Sequence, residues 1–490
     1  MTTPSPDALP PLQLDVIPRR YWVKIACAFI VLGVWALWAA PTVNPEDWWV
    51  HGAWCLVGLA VAAPTAFRAL RMDFGQVLTD HRLMFLSSFA LYFLFGAAMV
   101  TFGNEVEVDS VVGHFPIGAP EALRVDGMNG VGFGLALLTA AFSRGRWLGA
   151  QAEKTAVVVS RVPATWVITS LLVVGGGAAY YLLTFDLGWR TGIPAGLFRN
   201  LAQLVLVAIF LSASHRGDRE RPLRLFGVLV ALGLAFTNTL MFSKSGALLP
   251  LASLVAGLAM RFGSRRVLPI GLAVLVGGFI ILGNLTIQSR ITTYSSYTQS
   301  MVERVVTLWD AWAFSEDLLE EDSYSYWGRL CYVPTAAAGL AFRDEGNGGD
   351  GLRLMWWVAV PRFLAPRKPE ITKTGWELYE KITGHNTSND GQGIFASGYY
   401  HGGWFGLVLA SVVCGWIVAQ TSAIARVIYL RRALLMLPMS LLGLFIAFRI
   451  DGDFVSDYLG AFMFILYPIL AAAVVVPLFA PTAGARGVNR

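Results

Sequence analysis

Charge is what this sequence has least of. Only 14% of its 490 residues are charged and 56% are hydrophobic, whereas an ordinary soluble domain carries about 25% charged residues. No water-soluble fold of this length hides so much apolar surface, so the chain reads as a polytopic membrane protein. Cysteine is scarce as well: Cys27, Cys55 and Cys414 lie in apolar stretches and Cys331 in a loop. No pair of them stands at metal-ligand spacing, which argues against a disulfide or a zinc site. No heptad persists, no phosphate-binding P-loop occurs, and the two halves share no internal repeat, which weakens the case for an inverted-repeat transporter. No small-residue cleavage signature closely follows the first apolar run, so the proline-rich start is expected to be a cytoplasmic tail rather than a signal peptide. The net charge of +5 would suggest nucleic acid in a soluble protein. In a membrane protein it is the usual excess of Lys and Arg in cytoplasmic loops.

A helix needs about 20 mostly apolar residues to cross the hydrocarbon core. Twelve runs approach this, at roughly 22 to 40, 49 to 67, 83 to 102, 127 to 143, 164 to 184, 200 to 213, 223 to 240, 246 to 261, 267 to 285, 403 to 421, 434 to 449 and 458 to 480. With the N-terminus inside, 22 of the 37 basic residues fall in inside segments. The short outside segments hold only Arg124, Arg190, Arg199, Lys244 and Arg449. This asymmetry orients the chain with both termini in the cytoplasm.

The expected fold is therefore all-α and polytopic. A cytoplasmic tail (1–21) leads into a nine-helix bundle (22–285), followed by a large structured external loop (286–402), three further spans (403–480) and a second tail (481–490). Long loops are usually functional or disordered, and this one is rich in aromatics, apolar runs and both signs of charge. Residues 324–342 and 352–364 are too short or too polar to span, and are expected to lie at the interface or to re-enter the bundle.

Charges beside the spans are the first candidates for chemistry. Lys244, between Ser243 and Ser245, reads either as a snorkelling lysine or as a cation at a cavity mouth. Arg449 with Asp451, Asp453 and Asp457 reads as a solvated outside turn, with Asp451 and Asp453 as candidate substrate contacts. The richest segment runs from Val360 to Gly406. Arg362, Arg367 and Lys368 stand among Pro361, Pro366 and Pro369, so a stiffened loop displays the cations. Trp356 and Trp357 would anchor it at headgroup depth. Arginine forks match phosphate oxygens, so a lipid-linked pyrophosphate is one ligand that such a loop fits; general attraction to anionic headgroups is the other reading. Glu370, Glu377, Glu380, His385 and Asp390 follow, and a base that removes a proton from a sugar hydroxyl must be a carboxylate or a neutral histidine. The residue types alone do not choose among them.

These residues resemble the Wzy-type O-antigen and exopolysaccharide polymerases, the oligosaccharide repeat-unit polymerases. Members often show PRxxWPxKP in the large periplasmic loop, and Pro361–Pro369 is similar, with Ala365 where Trp is common. They also show GEAYxNFGWxGV leading into a span, and Ala396–Leu407 is similar, with Ser397 where Glu is frequent. Ser243–Gly246 is similar to the family's SRG-like turn, with Lys244 in place of Arg. The resemblance covers about fifty residues and that turn; the rest agrees in architecture. It implies an enzyme of the bacterial inner membrane that transfers a glycan from undecaprenyl pyrophosphate to the non-reducing end of another lipid-linked repeat unit. It implies no cofactor and no nucleic acid, with the bilayer, a flippase and a chain-length regulator as partners. On it, Arg362, Arg367 and Lys368 hold the pyrophosphate, with Lys244, Arg290 and Tyr399 as further substrate contacts, and His385 and Glu370 activate the acceptor. An O-antigen ligase, using the same donor and a loop histidine, and a lipid-linked oligosaccharide flippase are the alternatives. A flippase should spread charge over many spans, whereas here the charges collect outside.

Overall fold

In a bilayer every backbone N–H and C=O must be satisfied internally, so apolar runs of this length fold as helices. The computed structural model describes residues 17–72, 74–103, 108, 115–143, 145–160, 162–186, 195–215, 221–241, 243–262, 267, 269–278, 281, 301–313, 330–360, 364–365, 367–369, 371, 374–384 and 391–479. Among these residues there are helices and turns and no strand. The main helices are α1 (Arg19–Ala39), α2 (Trp48–Arg71), α3 (His81–Phe89), α4 (Ala119–Phe142), α5 (Arg146–Val159), α6 (Ala164–Asp186), α7 (Ala195–Ser214), α8 (Arg221–Leu240), α9 (Lys244–Phe262), α10 (Met301–Ala313), α11 (Val333–Asp344), α12 (Thr374–Thr383), α13 (Ile394–Arg431), α14 (Leu437–Phe448) and α15 (Gly460–Phe479). A π-helical stretch, Ala90–Gly96, and a last turn, Met99–Phe102, carry α3 on to Phe102.

Among the described residues, eight helical stretches are long and apolar enough to cross a membrane: Arg19–Thr42, Trp48–Ala69, His81–Phe102, Ala119–Phe142, Ala164–Thr184, Arg221–Leu240, Ile394–Arg431 and Phe454–Ala472. Shorter apolar helices cover Leu201–Ser214, Gly246–Phe262, Pro269–Gly278 and Leu434–Phe448. The chain is a helical, multi-pass membrane protein.

The fold divides into two units. One comprises residues 1–13, 70–76 and 160–323. Within it α7 packs on α6, α8 and α9, and α10 packs on α8. Arg304 of α10 is buried and donates to the Leu240 carbonyl at the end of α8 (3.4 Å). Val302, Val305, Val306 and Trp309 of α10 are exposed at i, i+3, i+4 and i+7, an apolar stripe along one face of the helix.

The other unit comprises residues 14–69, 77–159 and 324–490. Lipid tails are as apolar as side chains, so its helices are held by close packing rather than by exclusion of water. Gly33 of α1 meets Gly127 and Gly130 of α4 so tightly that a Cβ on Gly33 would lie 2.6 Å from the Val131 nitrogen. Behind this contact Phe29, Phe85, Phe89, Phe133 and Phe395 are fully buried. Phe89 stacks on Phe133 with centroids 4.0 Å apart, and Phe29 meets both rings edge-on; such pairs add about 0.5–1.5 kcal/mol each. At one end of the unit Arg82 makes a bidentate pair with Asp80 (2.6 and 2.8 Å), and His81 Nδ1 pairs with Thr421 Oγ1 (2.9 Å). Trp48, Arg124 and Asp344 mark the opposite end.

Candidate active site

Three half-height helices break off in the middle of the second unit. At about 1.5 Å per residue the twelve residues of α14 rise about 18 Å, too little for a core of about 30 Å. The Phe448 carbonyl that ends α14 accepts a hydrogen bond from Ser88 Oγ. α11 starts beside Tyr332, whose ring meets that of Tyr92 at 5.6 Å. Tyr92 stands halfway along the His81–Phe102 span. From there α11 climbs to Asp344, at the Trp48 end.

The third break is in α13. Gly403 has φ 60° and ψ −148°, a conformation open essentially to glycine alone. The chain doubles back there: a Cβ on Gly398 or Gly406 would run into the other's backbone, although eight residues of straight helix separate atoms by about 12 Å. The limb before the turn, Ile394–His401, is buried throughout. Gly393 N and Ile394 N donate to the carbonyls of Asp451 (3.1 Å) and Ile450 (3.0 Å). Broken backbone at membrane depth is tolerated only where protein or water satisfies it, and here the segment between α14 and α15 does so.

That segment, Arg449–Asp457, corrects the solvated outside turn expected from the sequence. Asp453 is buried and accepts four hydrogen bonds. Val455 N (2.9 Å) and Ser456 N (2.7 Å) reach its Oδ1, capping the next helix, while Ser397 Oγ (2.6 Å) and His401 Nε2 (3.1 Å) reach Oδ2. His401 Nδ1 accepts from Gly351 N–H (3.1 Å), which places the ring proton on Nε2. Burial pushes the Asp453 carboxyl up, but the bonds from His401, Ser397 and Ser456 outweigh it and hold it at about 2. A hydrolytic triad puts histidine between serine and carboxylate. Here the carboxylate is central, so Ser397, His401 and Asp453 form a fastening rather than a nucleophile.

Asp451 differs. Its Oδ2 accepts the Tyr332 hydroxyl at 3.3 Å, and its buried Oδ1 has no hydrogen-bond partner among the described side chains. Burial pushes its carboxyl above the ordinary value. Arg449 lies over the Phe445 ring and 3.9 Å from Asp457 Oδ1, with 44% of its side chain exposed. A carboxylate of raised proton affinity, phenols and a half-open guanidinium therefore share the middle of the unit. Such a set can take a proton and receive an anion.

Arg124 at the Trp48 end donates to Asp344 Oδ2 (2.5 Å) and to the Tyr399 hydroxyl (3.3 Å), which itself donates to Asp344 Oδ1 (2.8 Å). Burial disfavours the Asp344 charge, but the bonds from Arg124 and Tyr399 together hold its carboxyl below the usual value. Lys381 donates to the Tyr400 hydroxyl (3.0 Å) and the Asn347 carbonyl (3.1 Å). Of the residues expected at the site, Tyr399 thus belongs to this triangle. Lys368 donates to the carbonyls of Trp357 (3.0 Å) and Val360 (2.9 Å), tying the loop to itself, and Arg367 beside it is exposed. Lys244 is the first residue of α9, in the other unit, and its side chain lies outside the described residues. Arg290, Arg362, Glu370 and His385 also lie outside them.

Tyr92 and Tyr332 were not anticipated, because one stands among apolar residues and the other in a loop. Asp126, an ionisable group in an apolar stretch, was legible by type, but the expected span began one residue after it. Compared with protein-family models, with curated proteins and with solved structures, the chain matches none.

Proposed function

We propose that the chain is a Wzy-type polymerase of the bacterial inner membrane, with both termini in the cytoplasm and the Trp48 end at the outer face. In this reading it joins undecaprenyl-pyrophosphate-linked repeat units into O-antigen or exopolysaccharide. One observation carries it: the segment similar to the family's second element folds as a buried half-helix against the turn that holds Asp451 and Arg449. Ser397, where that element often has Glu, lies 2.6 Å from the Asp453 carboxylate, so a carboxylate reaches the same place from another helix.

The chemistry follows from which groups are already occupied. Asp453 is saturated by four donors, and Asp451 is not. Asp451 takes the proton of the acceptor hydroxyl as its oxygen bonds to the anomeric carbon of the donor. The bond from that carbon to the phosphate oxygen breaks, and its electron pair leaves with undecaprenyl pyrophosphate. Cations stabilise that charge. A guanidinium at mid-depth facing hydrocarbon would cost at least about 2.5 kcal/mol, and a recess holding water or an anionic headgroup removes the cost for Arg449. Arg367, displayed by the loop that Lys368 fastens, meets the headgroup nearer the surface, with Arg362 beside it in sequence. His385 and Glu370 are the loop's own alternatives to Asp451 as base.

The test is incubation of the purified chain in nanodiscs with lipid-linked repeat units, followed by gel analysis. A ladder is the expected result. Product only when a lipid A core acceptor is added would replace the reading with a ligase, and movement of substrate without product would replace it with a flippase.

A further inference from the structure

Away from Asp451, the densest set of ligating side chains among the described residues lies where α2 meets α4. His51 and Cys55 stand at i and i+4 on α2 and so share a face; Asp126 projects from α4. All three are buried, and their donor atoms lie within 4.8 Å of one another. His51 Nδ1 is 2.6 Å from Asp126 Oδ2, and His51 Nε2 is 3.9 Å from Cys55 Sγ and 3.0 Å from the Ala97 carbonyl oxygen. Ala97 follows the π-helical stretch Ala90–Gly96, and such irregular turns recur at functional sites.

We propose that His51, Cys55 and Asp126 bind one thiophilic divalent cation of the zinc class. A thiolate, an imidazole and a carboxylate form the donor set that suits zinc, whereas magnesium and calcium favour all-oxygen cages. The charges balance: a dication with one thiolate, one carboxylate and a neutral imidazole sums to zero, the arrangement that costs least inside an apolar bundle. Binding releases two protons, one from the Cys55 thiol and one shared by His51 and Asp126. With Nδ1 on the ion, the carboxylate oxygen and Nδ1 must part by about 0.7 Å to become separate ligands, while Nε2 keeps the Ala97 carbonyl as its hydrogen-bond partner and so fixes the ring. Enclosed on all sides, the ion is structural: it staples α2 to α4 and to the broken span between them. Cysteine spacing alone does not find this site, because a single cysteine takes part. The inference is independent of the transferase reading.

The test uses the full-length chain in detergent, stripped with a chelator and titrated with Co2+ alone. One equivalent should bind with a near-ultraviolet thiolate-to-cobalt band and the visible bands of a tetrahedral ion. The near-ultraviolet band should vanish in Cys55→Ser and persist in Cys414→Ser, whose sulfur is buried elsewhere on α13. X-ray absorption of the zinc-loaded native chain should show a sulfur at about 2.3 Å, a readout that needs no variant. A monodisperse native chain that gives no thiolate band, a band unchanged in Cys55→Ser, or a zinc shell without sulfur would each overturn the proposal and leave a buried imidazole–carboxylate pair.

Discussion

Ser397 Oγ donates to Asp453 Oδ2 across 2.6 Å and accepts from Phe454 N at 3.1 Å, so one hydroxyl fastens the buried limb of α13 to the helix that begins after Asp453. Removing it leaves a buried carboxylate short of a donor and a buried N–H without an acceptor. Ser397→Ala should lower stability by about 1–3 kcal/mol, read as a lower Tm in detergent. Ser397→Thr, which keeps the hydroxyl, should lose less.

The same carboxylate predicts a response to acid. The folded value of Asp453, about 2, lies below the unfolded value of about 3.9. Its contribution is fully present above about pH 4 and is lost as pH falls through about 2. The native Tm should therefore fall more steeply over that window than the Tm of Asp453→Asn, which has no charge to lose. Parallel curves would remove Asp453 from the acid response.

Gly403 permits the reversal of α13. At φ 60° and ψ −148° a Cβ is strained, by about 1–3 kcal/mol, even though no backbone crowds the position; the nearest atoms are the Arg343 guanidinium nitrogens at 3.7 Å. Gly403→Ala should lower Tm accordingly, while Gly402→Ala needs only the Leu352 side chain to give way and should cost less. The measurement is a pair of melting curves.

Much of this was legible in the sequence, and the remainder fails for a physical reason. Apolar length marked the helices, because a bilayer leaves the backbone no other arrangement. For residues 324–342 it left an interfacial and a re-entrant helix open, and Val333–Asp344 is the buried one; it did not show that Ile394–His401 is a buried half-helix, since a re-entrant limb need be neither long nor uniformly apolar. Arg449, Asp451, Asp453 and Asp457 read as a surface turn because four charges in nine residues look solvated; what buries Asp453 and the Oδ1 of Asp451 is the meeting of distant segments. The start of α4 mattered most: a helix beginning at Ala119 instead of near 127 takes Asp126 inside, where His51 meets it.

Asp451 should be separable from its neighbours by function. Asp451→Asn keeps the size and the acceptor for Tyr332 but cannot take a proton at neutral pH. On the proposed polymerase reading, long-chain glycan should disappear while protein level and single lipid-linked repeat units persist. Tyr332→Phe keeps the ring against Tyr92 and should reduce chain length without abolishing it. Normal chain length in Asp451→Asn would transfer the base role to the loop.

Arg367 and Lys368 are adjacent, and their surroundings assign them opposite phenotypes. The Lys368 ammonium bonds the Trp357 and Val360 carbonyls, so Lys368→Ala should loosen the loop, seen as faster proteolysis between 355 and 370. Arg367 is exposed, so Arg367→Ala should leave proteolysis and Tm unchanged. If its guanidinium grips pyrophosphate, that variant nonetheless loses long-chain glycan, and Arg367→Lys restores it only in part, because an ammonium lacks the bidentate fork. Normal glycan in Arg367→Ala would show that the loop's charge serves only general attraction to anionic headgroups, and the grip on the donor would then fall to Arg449 at mid-depth.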